Sequence, residues 1–228
     1  MASFVVGFKK ILAPYRLKVL RSILGTRAVK VLDVGCGNDS CQLTKYWLNV
    51  TLYHGIDKEF WNDKREDYDR MDKVYYLDLE VCDFGAVPDL SFDVIIMSHV
   101  IEHLSNGYRV VAEMIRKLAP GGCIYIETPS YRTINYPSAD GFLNFYDDPT
   151  HKRVYNPLSI ADLFMEHGLR VLRCGYRRDW ARIILLSPIA IIINVFYYIP
   201  FRRKLLGTGL WDLLGVATVV VATKPAPS

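Results

Sequence analysis

The 228-residue sequence has few cysteines, and none of them occurs in a metal-binding or disulfide pattern. The five cysteines are scattered, with no Cys-x-x-Cys pair and no histidine at metal-ligand spacing. Internal repeats, low-complexity tracts and the compositions of disordered, collagen-like or coiled-coil chains are also missing. The N-terminus is basic but lacks an apolar core with a small-residue cleavage site, so it does not resemble a secretory signal. We therefore expect one cytoplasmic domain with reduced thiols and no bound metal.

Acidic residues are missing from the first part of the chain. Residues 1–32 contain seven Lys or Arg and no Asp or Glu, residues 33–169 have a net charge of −10, and residues 170–228 have a net charge of +7. The acidic centre argues against a general nucleic-acid-binding protein, because phosphate recognition requires a continuous basic face. The basic and apolar-rich ends favour contact with an anionic membrane surface.

Residues 1–27 are predicted to form a basic amphipathic helix that bends or breaks at Pro14. Apolar residues recur at intervals of three and four between Phe4 and Leu24, and lysines and arginines occupy the positions between them. Two interpretations remain open. The helix either lies on the protein core with a solvated basic face, or its basic face contacts anionic lipid.

Residues 28–228 are predicted to form an α/β domain with a doubly wound, mostly parallel sheet. Short β-branched runs alternate with helical stretches, the pattern typical of right-handed crossovers. The predicted strands are Val31–Val34, Leu52–Ile56, Val74–Leu77, Val94–Met97, Ile124–Ile126, Leu169–Gly175 and Val216–Thr223. The predicted helices are Cys41–Trp47, Tyr108–Leu118 and Pro157–Gly168. Ligands of such sheets bind at the carboxyl ends of the strands.

A glycine-rich turn follows the first predicted strand. The glycines of Gly35-Cys36-Gly37 permit a tight turn and let a ligand approach the backbone. Asp57 ends the second strand 20 residues after the second glycine, where a carboxylate can accept hydrogen bonds from both ribose hydroxyls of an adenosine. A dinucleotide site would need Gly or Ala in place of Ser40, and Asp39 would repel a pyrophosphate. The motif therefore predicts an adenosine-bearing cofactor without phosphate groups.

Five segments, in this order, resemble the motifs of class I S-adenosylmethionine-dependent methyltransferases. Val31–Gly37 resembles the first motif, and Asp57 matches the ribose-binding acid. Leu77–Leu79 resembles the adenine-contacting motif, Phe92–Leu104 the fourth strand with its loop, and Leu118–Gly122 the turn into the fifth strand. The resemblance covers residues 28–175 and the terminal strand, and several bacterial members of the family occur among genes for surface polysaccharide.

This resemblance implies a seven-stranded sheet with an antiparallel last strand, Val216–Thr223, and S-adenosylmethionine as the cofactor. Asp33 would orient the methionine end of the cofactor, although it is also suited to capping the turn. Asp78 would contact adenine, although it is also suited to an ordinary loop. Asp39 departs from the family pattern, which often has a third glycine there. The implied cofactor-binding residues are Asp33, Gly35, Cys36, Gly37, Asp57, Asp78, Leu79, Ser98 and His99.

Methyl transfer from a sulfonium requires the nucleophile, the methyl carbon and sulfur in line, and a hydroxyl nucleophile also requires a base. The candidate bases are His151, His99 and His103, because histidine titrates near neutral pH. His103 is equally consistent with a packing role at a helix start. The Asp-Pro-Thr-His segment ending at His151 resembles segments of the bacterial relatives, which favours that residue. The candidate substrate contacts are Arg132, Arg153 and Tyr155, and the alternative is a loop held by its own hydrogen bonds.

An apolar insertion separates the last two predicted strands at residues 176–214. Its centre, Ile183–Ile199, is almost wholly apolar over 17 residues, contains Pro188 and is flanked by Arg and Lys. A single membrane crossing would separate Val216–Thr223 from the sheet, so we do not expect a transmembrane helix. The insertion either lies in the membrane interface, or packs on the sheet or on a second copy in a homodimer. We favour the membrane, because the basic N-terminal helix supplies a second anchor.

These features together predict a methyltransferase that acts on a sugar or lipid-linked saccharide at the inner face of a membrane. The alternatives are a methyltransferase for a small lipophilic acceptor such as a quinone precursor, and a methyltransferase-like binding protein without turnover. A nicotinamide oxidoreductase is a more distant alternative.

Overall fold

The computed structural model describes residues 13–37, 39–59, 65–200, 205–207 and 209–226. The first half of the predicted N-terminal helix, residues 1–12, lies outside the described residues. The strands of the described part are β1 (Val29–Val34), β2 (Val50–Asp57), β3 (Lys73–Tyr76), β4 (Phe92–Ser98), β5 (Leu118–Pro129), β6 (Ala139–Asp140), β7 (Arg170–Tyr176), β8 (Leu205–Leu206) and β9 (Ala217–Thr223). The helices are α1 (Tyr15–Leu24), α2 (Ser40–Trp47), α3 (Arg65–Asp69), α4 (Gly107–Lys117), α5 (Pro157–Glu166), α6 (Trp180–Ile193) and α7 (Trp211–Leu214).

Seven strands form one sheet in the order β3-β2-β1-β4-β5-β9-β7. Strands β1 to β5 pair in parallel, and β9 is antiparallel to both β5 and β7. The predicted doubly wound α/β fold with an antiparallel last strand is confirmed. Because β1 lies between β2 and β4, the order in which the strands are added reverses next to β1, and ligands of such folds bind at the carboxyl ends of the strands at that point.

Both faces of the sheet are covered, which explains why its strands are continuous apolar runs. Leu32, Ile95 and Ile124 point to one face, where they pack with buried residues of α4 and α5. Their sequence neighbours Val31 and Val94 point to the opposite face and pack with α1 and α2. This alternation follows from the two-residue period of a strand.

Helix α1 begins directly after Pro14 and lies on the sheet. Leu17 and Leu20 are buried in the core, and Lys18 forms a salt bridge of 2.6 Å with Asp179 at the start of α6. The described half of the N-terminal helix therefore packs on the core, as in the first of the two interpretations. Contact of this helix with lipid remains a prediction.

The apolar insertion joins β7 to β9 and folds over the carboxyl edge of the sheet. Helix α6 continues into a π-helical turn at Asn194–Tyr198, and the short strand β8 pairs with β6. Val216 forms a small core with Ala139 and Leu143, so the insertion is tied to the segment that follows β5. In the described ranges, no helix is long and apolar enough to cross a membrane.

Candidate functional site

The glycine turn after β1 contacts the acid that ends β2. Gly35 has a φ of +74°, a conformation that favours glycine, and its N–H donates to the Ile56 carbonyl over 2.8 Å. The Gly37 N–H donates to Oδ2 of Asp57 over 3.2 Å, and the Lys58 N–H donates to Oδ1 over 2.8 Å. Burial raises the pKa of Asp57. The turn and the candidate ribose acid therefore form one site.

Just before α2, Asp39 occupies the position where the family pattern often has a third glycine. Asp39 has a φ of +60°, a left-handed conformation that Asp tolerates better than most residues. Its N–H donates to Asp67 over 2.6 Å, and this bond holds the turn in place. Ser40 begins the helix and its hydroxyl donates to the buried carboxylate of Asp33.

The Asp33 carboxylate is hydrogen-bonded to residues that hold the glycine turn. Its carboxylate accepts hydrogen bonds from Ser40 and from the Tyr53 hydroxyl. Burial raises the pKa of Asp33, while the charge of Arg16 opposes this increase. The side chain is thus bound to protein groups on β2 and α2, a geometry that matches the turn-supporting alternative. Direct contact between Asp33 and the cofactor remains a prediction.

Arg16 is a site residue that the sequence analysis did not identify. Its guanidinium donates to the Ser40 hydroxyl over 3.2 Å. Its Nε is buried and has no hydrogen-bond partner among the residues described by the structure. A partly buried cation beside the glycine turn fits a carboxylate such as that of the methionine part of S-adenosylmethionine. Arg16 lies on α1, which precedes the glycine motif in the sequence, and no characteristic spacing links it to that motif.

The ends of β2 and β3 carry the residues predicted to contact adenine. Asp78 lies 3.1 Å from the Lys58 ammonium group, and its carboxylate accepts the Glu80 N–H over 3.0 Å. These two interactions lower the pKa of Asp78. The Leu79 side chain is buried in the core, so its backbone is the part available to a ligand.

A cavity of about 160 Å³ lies beyond the ends of β4 and β5. The three predicted histidines, His99, His103 and His151, all line it. A Cβ built on Gly35 would lie 2.4 Å from a methyl group of Val100, so the glycine turn packs against the loop that carries His99. The cavity and the cofactor turn are therefore neighbours. The other lining residues are Glu102, Pro129, Thr133, Phe142, Leu143, Asn144, Phe145, Asp148, Trp211 and Val216.

His99 lies between two buried carboxylates. Its Nδ1 is 3.1 Å from Oε1 of Glu102, and its Nε2 is 3.3 Å from Oε1 of Glu127. Burial alone lowers the pKa of His99, but the hydrogen bonds and charges of both carboxylates raise it to about 10. The imidazolium is therefore the form present at neutral pH, with both N–H groups engaged. A protonated ring cannot accept a proton, so this charge state does not favour His99 as the general base, and a catalytic role for His99 remains a prediction.

The Glu127 carboxylate connects His99 to the insertion. It accepts hydrogen bonds from Nη1 of Arg177 over 2.8 Å and from the Tyr125 hydroxyl over 2.5 Å. Burial raises the pKa of Glu127, but its bond to His99 and the charge of Arg177 hold the pKa well below the usual range. Nε of Arg177 in turn donates to Asp212 over 2.9 Å. Paired charges of this kind are costly to separate when buried.

His151 has the hydrogen bonding expected of a base. Its Nδ1 is 2.6 Å from the Phe145 carbonyl oxygen, so in the neutral ring Nδ1 carries the proton and Nε2 has the free lone pair. Oδ2 of Asp148 lies 3.8 Å from that Nε2. The ring centroid is 4.9 Å from that of His103, whose Nδ1 contacts Thr150.

The three residues predicted to contact substrate differ in burial, and none of them lines the cavity. Tyr155 is fully buried, and its hydroxyl donates to the Leu104 carbonyl and accepts the Gly107 N–H over 2.9 Å. Both hydrogen bonds of the hydroxyl go to protein groups, which favours the alternative of a loop held by its own hydrogen bonds, and substrate contact by Tyr155 remains a prediction. Arg153 stacks on two tyrosine rings and Arg132 lies 4.5 Å over the Tyr176 ring, both outside the cavity lining. Substrate contact by these arginines remains a prediction.

Glu102, Glu127 and Arg177 were not identified by the sequence analysis. Glu102 is preceded by His99 and followed by His103, and this spacing on one turn is the signal that could have drawn attention to it. Glu127 and Arg177 are 50 residues apart and meet only in the folded sheet.

Glu102, His103 and His151 form a cluster of possible metal ligands. One ligand atom from each of them lies within 4.8 Å of the others, which is a spacing compatible with a metal ion.

The fold and the site define an α/β protein with a glycine turn bonded to the acid that ends β2 and a neighbouring cavity lined by three histidines. Residues 10–173 match the family model described as Methyltransferase domain. The chain therefore belongs to this methyltransferase domain family, and it is an S-adenosylmethionine-dependent methyltransferase. The predicted enzyme class and cofactor are confirmed.

Individual relatives agree with this assignment. The chain is 36% identical over 85 residues to a probable S-adenosylmethionine-dependent methyltransferase of Mycolicibacterium smegmatis, covering 37% of this chain and 31% of that protein. It is 27% identical over 165 residues to a ubiquinone biosynthesis O-methyltransferase of Thiobacillus denitrificans, covering 68% of this chain and 71% of that protein. The crystal structure of a SAM dependent methyltransferase from Archaeoglobus fulgidus is similar in fold, with a TM-score of 0.57, 21% identity, and coverage of 97% of this chain and 99% of that one.

Proposed function

We propose that the enzyme transfers the methyl group to a hydroxyl of a sugar or lipid-linked saccharide on the cytoplasmic face of a membrane. The observation that carries this proposal is the orientation of His151. Its Nε2 lone pair belongs to a ring that lines the cavity beside the glycine turn. A sugar hydroxyl is a weak nucleophile and needs such a base, whereas a group that is already anionic does not.

Four residues are suited to hold the cofactor. Arg16 matches its carboxylate, Asp57 its ribose hydroxyls, and Asp78 with the Leu79 backbone its adenine. When bound, S-adenosylmethionine supplies an electrophilic methyl group on a sulfonium. The protein is left to align the acceptor with that methyl group and to remove the acceptor proton.

His151 accepts the acceptor proton at Nε2 in this proposal. The imidazolium that forms keeps its Nδ1–H bond to Phe145, and the nearby Asp148 carboxylate stabilises its charge. His99 has a different task, because its ring is already protonated. Held by Glu102 and Glu127, it forms a rigid polar wall of the cavity.

A small lipophilic acceptor such as a quinone precursor is the second candidate. The aromatic side chains Phe142, Phe145 and Trp211 line the cavity, and they would pack against a planar ring. The similarity to a ubiquinone biosynthesis O-methyltransferase supports this candidate too. A phenol, with a pKa near 10, also benefits from a base at neutral pH.

Transfer of a radiolabelled methyl group separates the candidates. The purified enzyme is incubated with labelled S-adenosylmethionine and either glycolipid and polysaccharide fractions or quinone-precursor fractions. Label in the saccharide fractions that disappears with His151→Ala supports the first candidate, and label in the quinone fraction supports the second. Cofactor binding with no label in any fraction would indicate a binding protein without turnover and would overturn both.

A further inference from the structure

Most apolar side chains of α6 are exposed to solvent, and its polar residue Ser187 is buried against the domain. Ser187, Ala190 and Asn194 are buried and recur at intervals of three and four, so they share one face of the helix. Ile189 and Ile192, on the opposite face, are each 57% exposed. A helix that packs on a water-soluble domain normally has the reverse arrangement.

The exposed apolar surface extends along the whole helix and into the π-helical turn. Nine further apolar side chains are exposed there, namely Trp180, Ile184, Leu185, Leu186, Ile191, Ile193, Val195, Phe196 and Ile199. Contiguous apolar surface of this kind on a folded domain marks a site of interaction. We call the exposed apolar side chains between Trp180 and Ile199 the α6 face.

Protein contacts hold α6 against the domain at both ends and in the middle. The Ser187 hydroxyl donates to the Gly209 carbonyl over 2.8 Å, and the Asn194 amide exchanges two hydrogen bonds with the Leu206 backbone. At the start of the helix, the Asp179 N–H donates to Asp212 over 3.2 Å. The helix therefore lies flat on the protein, and its length of about 21 Å is shorter than a hydrocarbon core of about 30 Å.

The sequence that contains the α6 face is basic. Arg177 is paired inside the protein with Glu127 and Asp212, and residues 201–204 lie outside the described ranges. Residues 177–204 contain six Lys or Arg and one acidic residue, Asp179. That acid is buried and paired with Lys18 over 2.6 Å, which brings the basic helix α1 to the start of α6. An anionic surface complements this arrangement, because apolar side chains flanked by cations suit the boundary between lipid headgroups and acyl chains.

We propose that the α6 face inserts into the interfacial region of an anionic lipid bilayer, with the helix parallel to the membrane plane. A second copy of the chain fits less well. A two-fold interface would bring the same basic segment of both subunits together, and the one acidic residue in the sequence of that segment, Asp179, is buried. This inference deepens the proposed function, because it rests on the membrane location given there, but it does not depend on which acceptor is methylated.

Flotation with vesicles tests the proposal on the full chain. We expect the wild type to float with phosphatidylglycerol-containing vesicles and less with pure phosphatidylcholine vesicles or at high salt. The double variant Ile189→Asp/Ile192→Asp should lower the partition coefficient at least about 100-fold, since burial of one isoleucine side chain corresponds to roughly tenfold or more. The matched control is Leu158→Asp/Met165→Asp on α5, whose side chains are 63% and 56% exposed, and it should float like the wild type.

A second measurement does not depend on any variant. Hydrogen exchange of the wild type with and without anionic vesicles should slow in peptides from residues 180–199 and remain unchanged in peptides from residues 157–166. Absence of flotation, equal flotation of the two double variants, or no protection of residues 180–199 would each overturn the proposal. A dimer in sedimentation that dissociates on Ile189→Asp/Ile192→Asp, without vesicle binding, would assign the face to a second copy. Cofactor affinity and methyl transfer to a water-soluble acceptor, measured on the same proteins, report separately on the proposed function.

Discussion

Replacement of His99 by glutamine should make the stability of the enzyme less sensitive to alkaline pH. In the unfolded chain a histidine has a pKa of about 6.5, whereas the two carboxylates raise the pKa of His99 to about 10 in the folded protein. Below pH 6.5 both states hold the proton and the ion pairs contribute fully to stability. As pH rises toward 10, the unfolded state loses its proton first, so the contribution declines.

The size of the effect follows from the pKa difference and the exposure of the ring. At 1.36 kcal/mol per pKa unit, the full difference corresponds to about 5 kcal/mol. The His99 side chain is 33% exposed, and solvent screening at such a site reduces the interaction by half or more. We therefore expect the stability advantage of the wild type over His99→Gln to fall by about 2 kcal/mol between roughly pH 6.5 and 9.5.

Urea unfolding at a series of pH values measures this difference directly. His167→Gln is the matched control, because its ring contacts a backbone carbonyl at the exposed end of α5 and no carboxylate among the described residues. Nitrogen-15 NMR of the His99 ring should also show a protonated imidazole up to about pH 9. Two results would refute the assignment of His99 as an imidazolium held by two carboxylates. One is a stability difference that stays constant with pH, and the other is a His99 ring that titrates near pH 6.5.

Four further results are expected. Asp57→Ala should weaken S-adenosylmethionine binding roughly 100-fold in calorimetric titration, because two hydrogen bonds to an ionised group are lost, and unchanged affinity would contradict the cofactor site. His151→Ala should lower kcat about 10²-fold or more while cofactor affinity stays the same, and a kcat like that of the wild type would show that the base is another group. Tyr155→Phe should lower the free energy of unfolding by about 1–3 kcal/mol through its two buried hydrogen bonds, without changing KM, whereas a raised KM at unchanged stability would return this residue to the substrate site. Treatment with a chelator should leave turnover unchanged, and restoration of lost turnover by a divalent cation would show that the cluster of Glu102, His103 and His151 holds a metal.

The cofactor half of the site was predictable because its parts follow from local patterns. A buried strand, a glycine turn and an acid at the end of the next strand must meet wherever two parallel strands are neighbours. The contact of Gly37 with Asp57 is the result. Arg16 was not predicted because it lies on α1, and no sequence spacing connects that helix to the glycine motif that it contacts through Ser40.

The acceptor half was predictable only as a set of candidate histidines. His99 follows β4 and His151 lies in a loop far along the chain, and the sequence could not show how their surroundings differ. The charge of His99 depends on carboxylates contributed by other elements, above all Glu127 on β5, which is held by Arg177. For Tyr155 too, only the packing shows that its hydroxyl is enclosed by the protein.

The sequence alone therefore determined the α/β fold, the order of its motifs and the identity of the cofactor, because strand periodicity and turn chemistry act over short stretches of chain. The tertiary structure decided that His99 lies between two carboxylates and that Nδ1 of His151 lies against a backbone carbonyl, because these contacts depend on how the segments are arranged in the folded protein. It also decided which face of α6, the helix of the apolar insertion, is exposed. Ser187 and Asn194 are bonded to the protein, and for that reason the isoleucines of α6 face outward.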